Sequence, residues 1–265
     1  MMGTLPQTLD SPLSVPRWHP LRHMVRGVWR QSLRRNEITI VLILLALYLI
    51  GAIVLRVVGI DSDQTARFVT GLGLELGSWI SALLVIVIGT RQIPVELEQG
   101  TLYPVLAKPV TRGQVLMGKA IPTWMLGATS MGLFLLVTLA VTPHLAYQQY
   151  SVLAQAVLCK ALSLALLTAL TICLSLWLPS SLAMLLGGAV CFLGSMALNA
   201  VASIPAGAWL GGLIPDFKLL EQFLRYVDGG APLGLSPQLR LLAYAVLWTA
   251  TLWGLANLRF RRKSL

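Results

Sequence analysis

The chain has 265 residues, of which 56% are hydrophobic and only 11% charged, and its mean hydropathy is +0.77. Soluble proteins carry about 25% charged residues, so a water-soluble globular domain is excluded and an integral membrane protein is expected. Lys and Arg number 20 against ten Asp and Glu, a net charge of +10 that suits nucleic acid or anionic lipid until the positions of the charges are considered.

Residues 1–16 are polar and Pro-rich, with no apolar core of a cleavable signal, and read as a disordered cytoplasmic N-terminus. Residues 17–36 predict an amphipathic helix. Leu21, Met24, Val25, Val28, Trp29 and Leu33 recur at helical spacing, while Arg22, Arg26, Arg30 and Arg34 form an i, i+4 ridge on another face. Pro20 suits a first helical turn. Because this helix abuts the first apolar run, an interfacial position with arginines toward lipid phosphates is favoured. The alternative is a soluble basic helix gripping a partner.

A membrane-crossing helix needs about 20 apolar residues. Six segments meet this, namely 38–58, 68–89, 115–141, 152–178, 182–201 and 241–258, so residues 37–265 read as a single six-helix transmembrane domain. The fold class expected is all-α, with an interfacial helix before the first span and a short external helix before the last. Fourteen of the 20 basic residues lie before span one, between spans two and three, in the first turns of span three (Lys119), or after span six, all on one side of this topology. Cytoplasmic loops are enriched in Lys and Arg. Both termini are therefore expected in the cytoplasm of a multi-pass protein of the cell inner (plasma) membrane. The basic charge becomes a topology signal, and no nucleic-acid partner is expected.

Within the spans, Gly71, Gly73 and Gly77 have the wrong spacing for a dinucleotide fingerprint and read as sites of close helix packing. Glu75 and Lys160 are charges at bilayer depth, candidates for a substrate path. An outer water-filled cavity, a Glu75–Lys160 pair, or snorkelling would each accommodate them. Cys159, Cys173 and Cys191 fall in apolar runs and read as small buried residues. Ala183, Gly187, Cys191, Ser195 and Asn199 form a small and polar stripe at i+4 intervals, suited to a dimer interface or to packing inside one subunit. In the external loop 203–240, Pro215 and Asp216 start a short helix and Gly229-Gly230 stop it. Phe217, Leu220, Phe223 and Leu224 would share its membrane-resting face, and Glu221 and Arg225 would pair at i, i+4.

No G-x-x-x-x-G-K-[ST] loop or G-x-S-x-G elbow is present, and His19, His23 and His144 have no metal-ligand spacing. No catalytic residue, metal or bound cofactor is therefore expected. The informative segment runs from Arg91 to Ala120, RQIPVELEQGTLYPVLAKPVTRGQVLMGKA. It is longer than a connector requires and mixes both charge signs with apolar residues. Pro94 can open a short helix over about 92–107 that Pro109 closes. The bland alternative is a re-entrant structural loop.

This segment resembles the signature of ABC type-2 transporter permeases, roughly R-x-I-x-x-E-x-E-x-G-T-L, then P-[VS]-[ST]-R, then G-K. The matching residues are Arg91, Ile93, Glu96, Glu98, Gly100, Thr101, Leu102, Pro109, Val110, Thr111, Arg112, Gly118 and Lys119. The resemblance implies a coupling helix docked on a separate ATP-binding subunit, with ATP and Mg bound by that subunit. It also implies a second permease subunit, identical or related, and contact with membrane lipids, and it leaves room for an extracytoplasmic accessory protein. An ATP-driven exporter permease is the expected function. A membrane scaffold or assembly factor without cargo is the alternative. An intramembrane enzyme is disfavoured because no nucleophile and base can be assembled.

Overall fold

The computed structural model describes residues 37–57, 63–98, 112–142, 150–194 and 215–262. The expected interfacial helix over 17–36 lies outside the described residues, as do residues 99–111 and 195–214. The regular structure of the described residues is entirely helical: α1 Glu37–Val57, α2 Asp63–Glu98, α3 Arg112–Val141, α4 Tyr150–Trp177, α5 Ser180–Gly188, α6 Phe223–Val227 and α7 Leu235–Arg262. A π-helical turn, Ala189–Leu193, prolongs α5, and a 3-10 turn, Lys218–Leu220, precedes α6. Long apolar runs take this form because a helix satisfies every backbone polar group without water.

Among the described residues four helices are long and apolar enough to cross a membrane: Thr65–Glu96, Gly113–Val141, Tyr150–Trp177 and Leu235–Arg262. The apolar stretches of α1 and α5, Thr39–Leu55 and Ser180–Leu193, are shorter. The protein is an all-α integral membrane protein. Its centre is α4: 67% of the apolar window of α4 is buried, against 17% for α7, so α7 is peripheral and presents most of its apolar surface outward. Leu164, Leu166, Leu167 and Ile172 of α4 make the main core with Val85, Ile86 and Ile93 of α2 and Leu116 of α3.

Close packing of α1, α2 and α3 depends on α2 glycines, as the sequence suggested. A Cβ on Gly73 would collide with the Tyr48 hydroxyl and Thr138, and one on Gly77 would sit 2.6 Å from Phe134 Cβ. The space so created admits polar ties between helices. Tyr48 Oη donates to Val69 O at 3.2 Å, and the Thr70 and Thr142 hydroxyls lie 2.9 Å apart.

Two expectations about element boundaries are corrected. Pro94 does not open a separate helix; it lies inside the 36-residue α2, which runs through Arg91 to Glu98. A proline at this position withholds one backbone hydrogen bond, to residue 90. The burial of Ile93 in the same core as Leu116 and Ala120 holds the helix together beyond it. Of the coupling segment expected over 92–107, the described part is thus the last turns of α2. The external segment also differs. It is not one helix on the membrane face but a 3-10 turn and the five-residue α6, with Phe217, Leu220, Phe223 and Tyr226 buried among the spans. Leu224, expected on the same membrane-resting face, is exposed while the other three are buried. The extended conformation at Glu221 (φ −87°, ψ 95°) breaks the helical register between the two halves. The expected stop is present, with Gly229 at φ 72°, a left-handed conformation that glycine adopts without penalty.

Candidate functional site

α3 runs antiparallel to α2 and α4 runs parallel to it, and this alternation sorts the charges by end. Arg91 and Glu96 of α2, Lys119 of α3 and Arg259, Arg261 and Arg262 of α7 lie at one end of the bundle, where Arg259 stacks over the Trp177 ring of α4 at 4.7 Å. Arg67, Lys218, Arg225 and Arg240 lie at the other. Arg67 and Arg91 are 24 residues apart on α2, about 36 Å at 1.5 Å per residue, close to the thickness of a bilayer core.

At the basic end α2 and α3 are tied beyond the membrane-length portion. Glu96 forms an ion pair with Lys119, and Gln92 Nε2 donates to Thr123 Oγ1 at 3.0 Å. Lys119 is buried and Glu96 partly exposed. The carboxylate and ammonium positions named from the sequence are therefore partners of each other, and the pair joins the ends of α2 and α3. Arg91 is exposed on α2 beside it. Glu98 and Arg112 close α2 and open α3 at this end. Gly100, Thr101 and Pro109 lie outside the described residues. Gln92 and Thr123 carried no charge or motif signal that could have singled them out.

A second polar cluster lies toward the other end. Lys160 of α4 is only 3% exposed, and its Nζ donates to Glu221 Oε1 at 3.1 Å and to the Ser78 hydroxyl of α2. Ser78 Oγ in turn donates to the same Glu221 oxygen at 2.8 Å. Two of the expected pairings are thereby overturned. Lys160 neither pairs with Glu75 nor snorkels, because the external segment delivers Glu221 to it. Glu221 does not pair with Arg225, whose Nε donates to Ala231 O at 3.1 Å. A buried ammonium needs a counter-charge, and the bent register at Glu221 supplies one from 61 residues along the chain. Ser78 gave no sequence signal at all. Glu75 is exposed on α2.

Of the small and polar stripe, Ala183 is buried and Gly187 faces Thr171 of α4 and Ile86 of α2, at 3.6 and 3.8 Å from a notional Cβ. This part of the stripe packs inside the subunit. Cys191 is half-buried, and Ser195 and Asn199 lie outside the described residues. Cys159 and Cys173 are buried free thiols. Tyr226 of α6 is buried with no hydrogen-bond partner for its hydroxyl, and burial, with a smaller contribution from Tyr150, pushes its pKa up. Among the described residues no three His, Cys, Asp or Glu side chains converge as a metal ion would need.

These features define a multi-pass membrane protein whose described residues gather basic side chains at one end of a helical bundle. Residues 29–265 match the family described as ABC-2 family transporter protein. The match covers most of the chain, and the chain belongs to that family. No curated protein matches it.

Proposed function

We propose that the chain is the permease subunit of an ATP-driven exporter, working as one of two permease subunits beside a separate ATP-binding subunit. The observation that carries this reading is the Glu96–Lys119 pair at the basic end, where the described part of the signature segment is a rigid prolongation of two packed helices. A partner that pushes on this end moves α2 and α3 together. Since α4 packs on α2, the displacement reaches the polar cluster of Ser78, Lys160 and Glu221. Glu96, Glu98, Arg91 and Arg112 are the charged residues placed to meet or brace the ATPase contact. The chain binds no cofactor in this reading; ATP and Mg belong to the partner. A force-transmitting element functions only if the two nucleotide states make different contacts with it.

The positive-inside rule places the basic end, and both termini, in the cytoplasm of the cell inner membrane. Glu75 and Lys160 line or brace the cargo path. The test is co-expression with a candidate ABC ATPase subunit and purification in mild detergent. Glu96→Lys is expected to lower ATPase stimulation at least about tenfold, since it sets two ammonium groups against each other in a part-buried site. Glu96→Lys with Lys119→Glu is expected to recover part of it. An intact chain that never associates with an ATP-binding subunit removes the reading.

A further inference from the structure

One acidic group in the membrane-length part of the bundle has no counter-charge. Glu75 is exposed on a face of α2 that also exposes Phe68, Leu72, Leu76, Trp79 and Leu83, a continuous stripe at helical spacing. Eight residues separate Glu75 from Arg67, which puts it about 12 Å inward from that end. Among the described residues Glu75 has no hydrogen-bond or ion-pair partner, and Lys160 is buried and held by Glu221. One turn from Glu75, Trp79 stacks on Phe192 of the π-helical turn, with ring centroids 4.7 Å apart and planes 18° apart. The stack fixes the indole while 48% of Trp79 stays exposed.

A carboxylate facing hydrocarbon is unfavourable, and the unfavourable term disappears when a cation meets it there. An indole face within reach attracts the same cation through its quadrupole. The flanking Leu72, Leu76 and Leu83 offer an apolar ligand body the surface that acyl chains would otherwise cover. Charge complementarity thus selects the occupant: we propose that this face of α2 binds a cationic amphiphile, with the cationic centre between Glu75 and the exposed indole of Trp79 and the apolar body along the leucines. The inference rests on the permease reading in that such a molecule would be cargo, and it names the cargo's chemical class.

The test uses the full chain in phosphatidylcholine nanodiscs without the ATPase, and two probes of one shape and opposite charge, tetraphenylphosphonium and tetraphenylborate. Binding is read by equilibrium dialysis, corrected for partitioning into empty discs, and by quenching of tryptophan fluorescence. The wild type is expected to bind the cation about tenfold more tightly than the anion, from an intramembrane charge and a cation–π contact together. Glu75→Gln is expected to remove that preference, Glu75→Asp to keep it, and Trp79→Leu to weaken cation binding severalfold with the preference for charge retained. Equal binding of both probes by the wild type, or an unchanged preference in Glu75→Gln, overturns the proposal. So does a face closed by a second copy: wild type that is dimeric and binds neither probe, with Glu75→Gln altering only the oligomeric state. Because binding is measured without ATP, charge-selective binding in a chain that moves nothing when reconstituted with the ATPase would sink the permease reading and leave this site standing.

Discussion

Lys160 shows how far a single residue can be read and where reading stops. A lysine ten residues into an apolar helix had to find a partner, and the sequence offered Glu75 as the other charge at similar depth. The partner is Glu221, because residue 221 is extended and turns its side chain inward beside Ser78. The asymmetry of exposure makes a prediction. Glu221 is 45% exposed and Lys160 4% by side chain. Removing the carboxylate strands a buried ammonium, whereas removing the ammonium leaves a carboxylate that reaches water. Glu221→Gln is therefore expected to destabilise the protein more than Lys160→Met, by roughly 2 kcal/mol, at the low end for broken buried pairs because one partner is half-exposed. Thermal unfolding in detergent orders the two variants; the opposite order would show that the ammonium already reaches solvent. Tyr226 makes the complementary case. Its hydroxyl is buried without a partner, so Tyr226→Phe is expected to be neutral or stabilising by about 1 kcal/mol. Burial raises its folded pKa above the ordinary 10.0, so the unfolded chain loses this proton first. Its contribution is intact below that value and falls as pH climbs through the raised folded value. The stability difference between the phenylalanine variant and wild type should therefore widen in the phenylalanine variant's favour above about pH 10, and a constant difference across that range would refute the assignment.

At the scale of elements, apolar run length told where helices lie but not where they end. Each of the six expected apolar runs holds a helix among the described residues, four of them long and apolar enough to cross a membrane, while residues 195–201 of the fifth run lie outside the described residues. Yet α2 was expected to stop at residue 89 and reaches Glu98, because a turn containing a proline is held by its neighbours' burial, which no single-sequence pattern displays. The external segment failed for a related reason: its apolar spacing fits a helix, but Phe217 is buried in one core cluster and Phe223 and Tyr226 in another, and the chain bends between them at Glu221. The glycines of α2 were legible, and they separate cleanly in a test. A Cβ on Gly77 meets the Phe134 Cβ at 2.6 Å, inside α3 rather than at the end of a flexible chain, while one on Gly132 of α3 meets nothing within 4 Å. Gly77→Ala is expected to destabilise by about 1–3 kcal/mol through overpacking. Gly132→Ala is expected to be neutral or stabilising, since alanine favours a helix over glycine. Equal melting temperatures for the two variants would mean that α2 and α3 are not in the close contact seen here.

For the whole molecule, the decisive property is polarity along the bundle axis. The helices deliver Arg91, Lys119, Arg259, Arg261 and Arg262 to one end, from three helices far apart in sequence, and the Glu221 segment enters from the other. Such sorting follows from antiparallel packing of helices whose flanking loops differ in charge, and it was readable as a count of basic residues before any contact was known. Its direction in the membrane is the hinge of the functional argument. In a chain with Cys159, Cys173 and Cys191 replaced, Asp228→Cys and Arg262→Cys put single thiols at exposed positions of opposite ends. A membrane-impermeant maleimide applied to intact cells is expected to label the thiol at 228 at once and the thiol at 262 only after permeabilisation, because positively charged ends stay cytoplasmic. The reverse pattern would set the Glu96–Lys119 extension outside the cell, where no ATP-binding subunit could press on it. The expected pattern leaves that extension within reach of a cytoplasmic ATPase, with Glu75 about two turns inward from the opposite end.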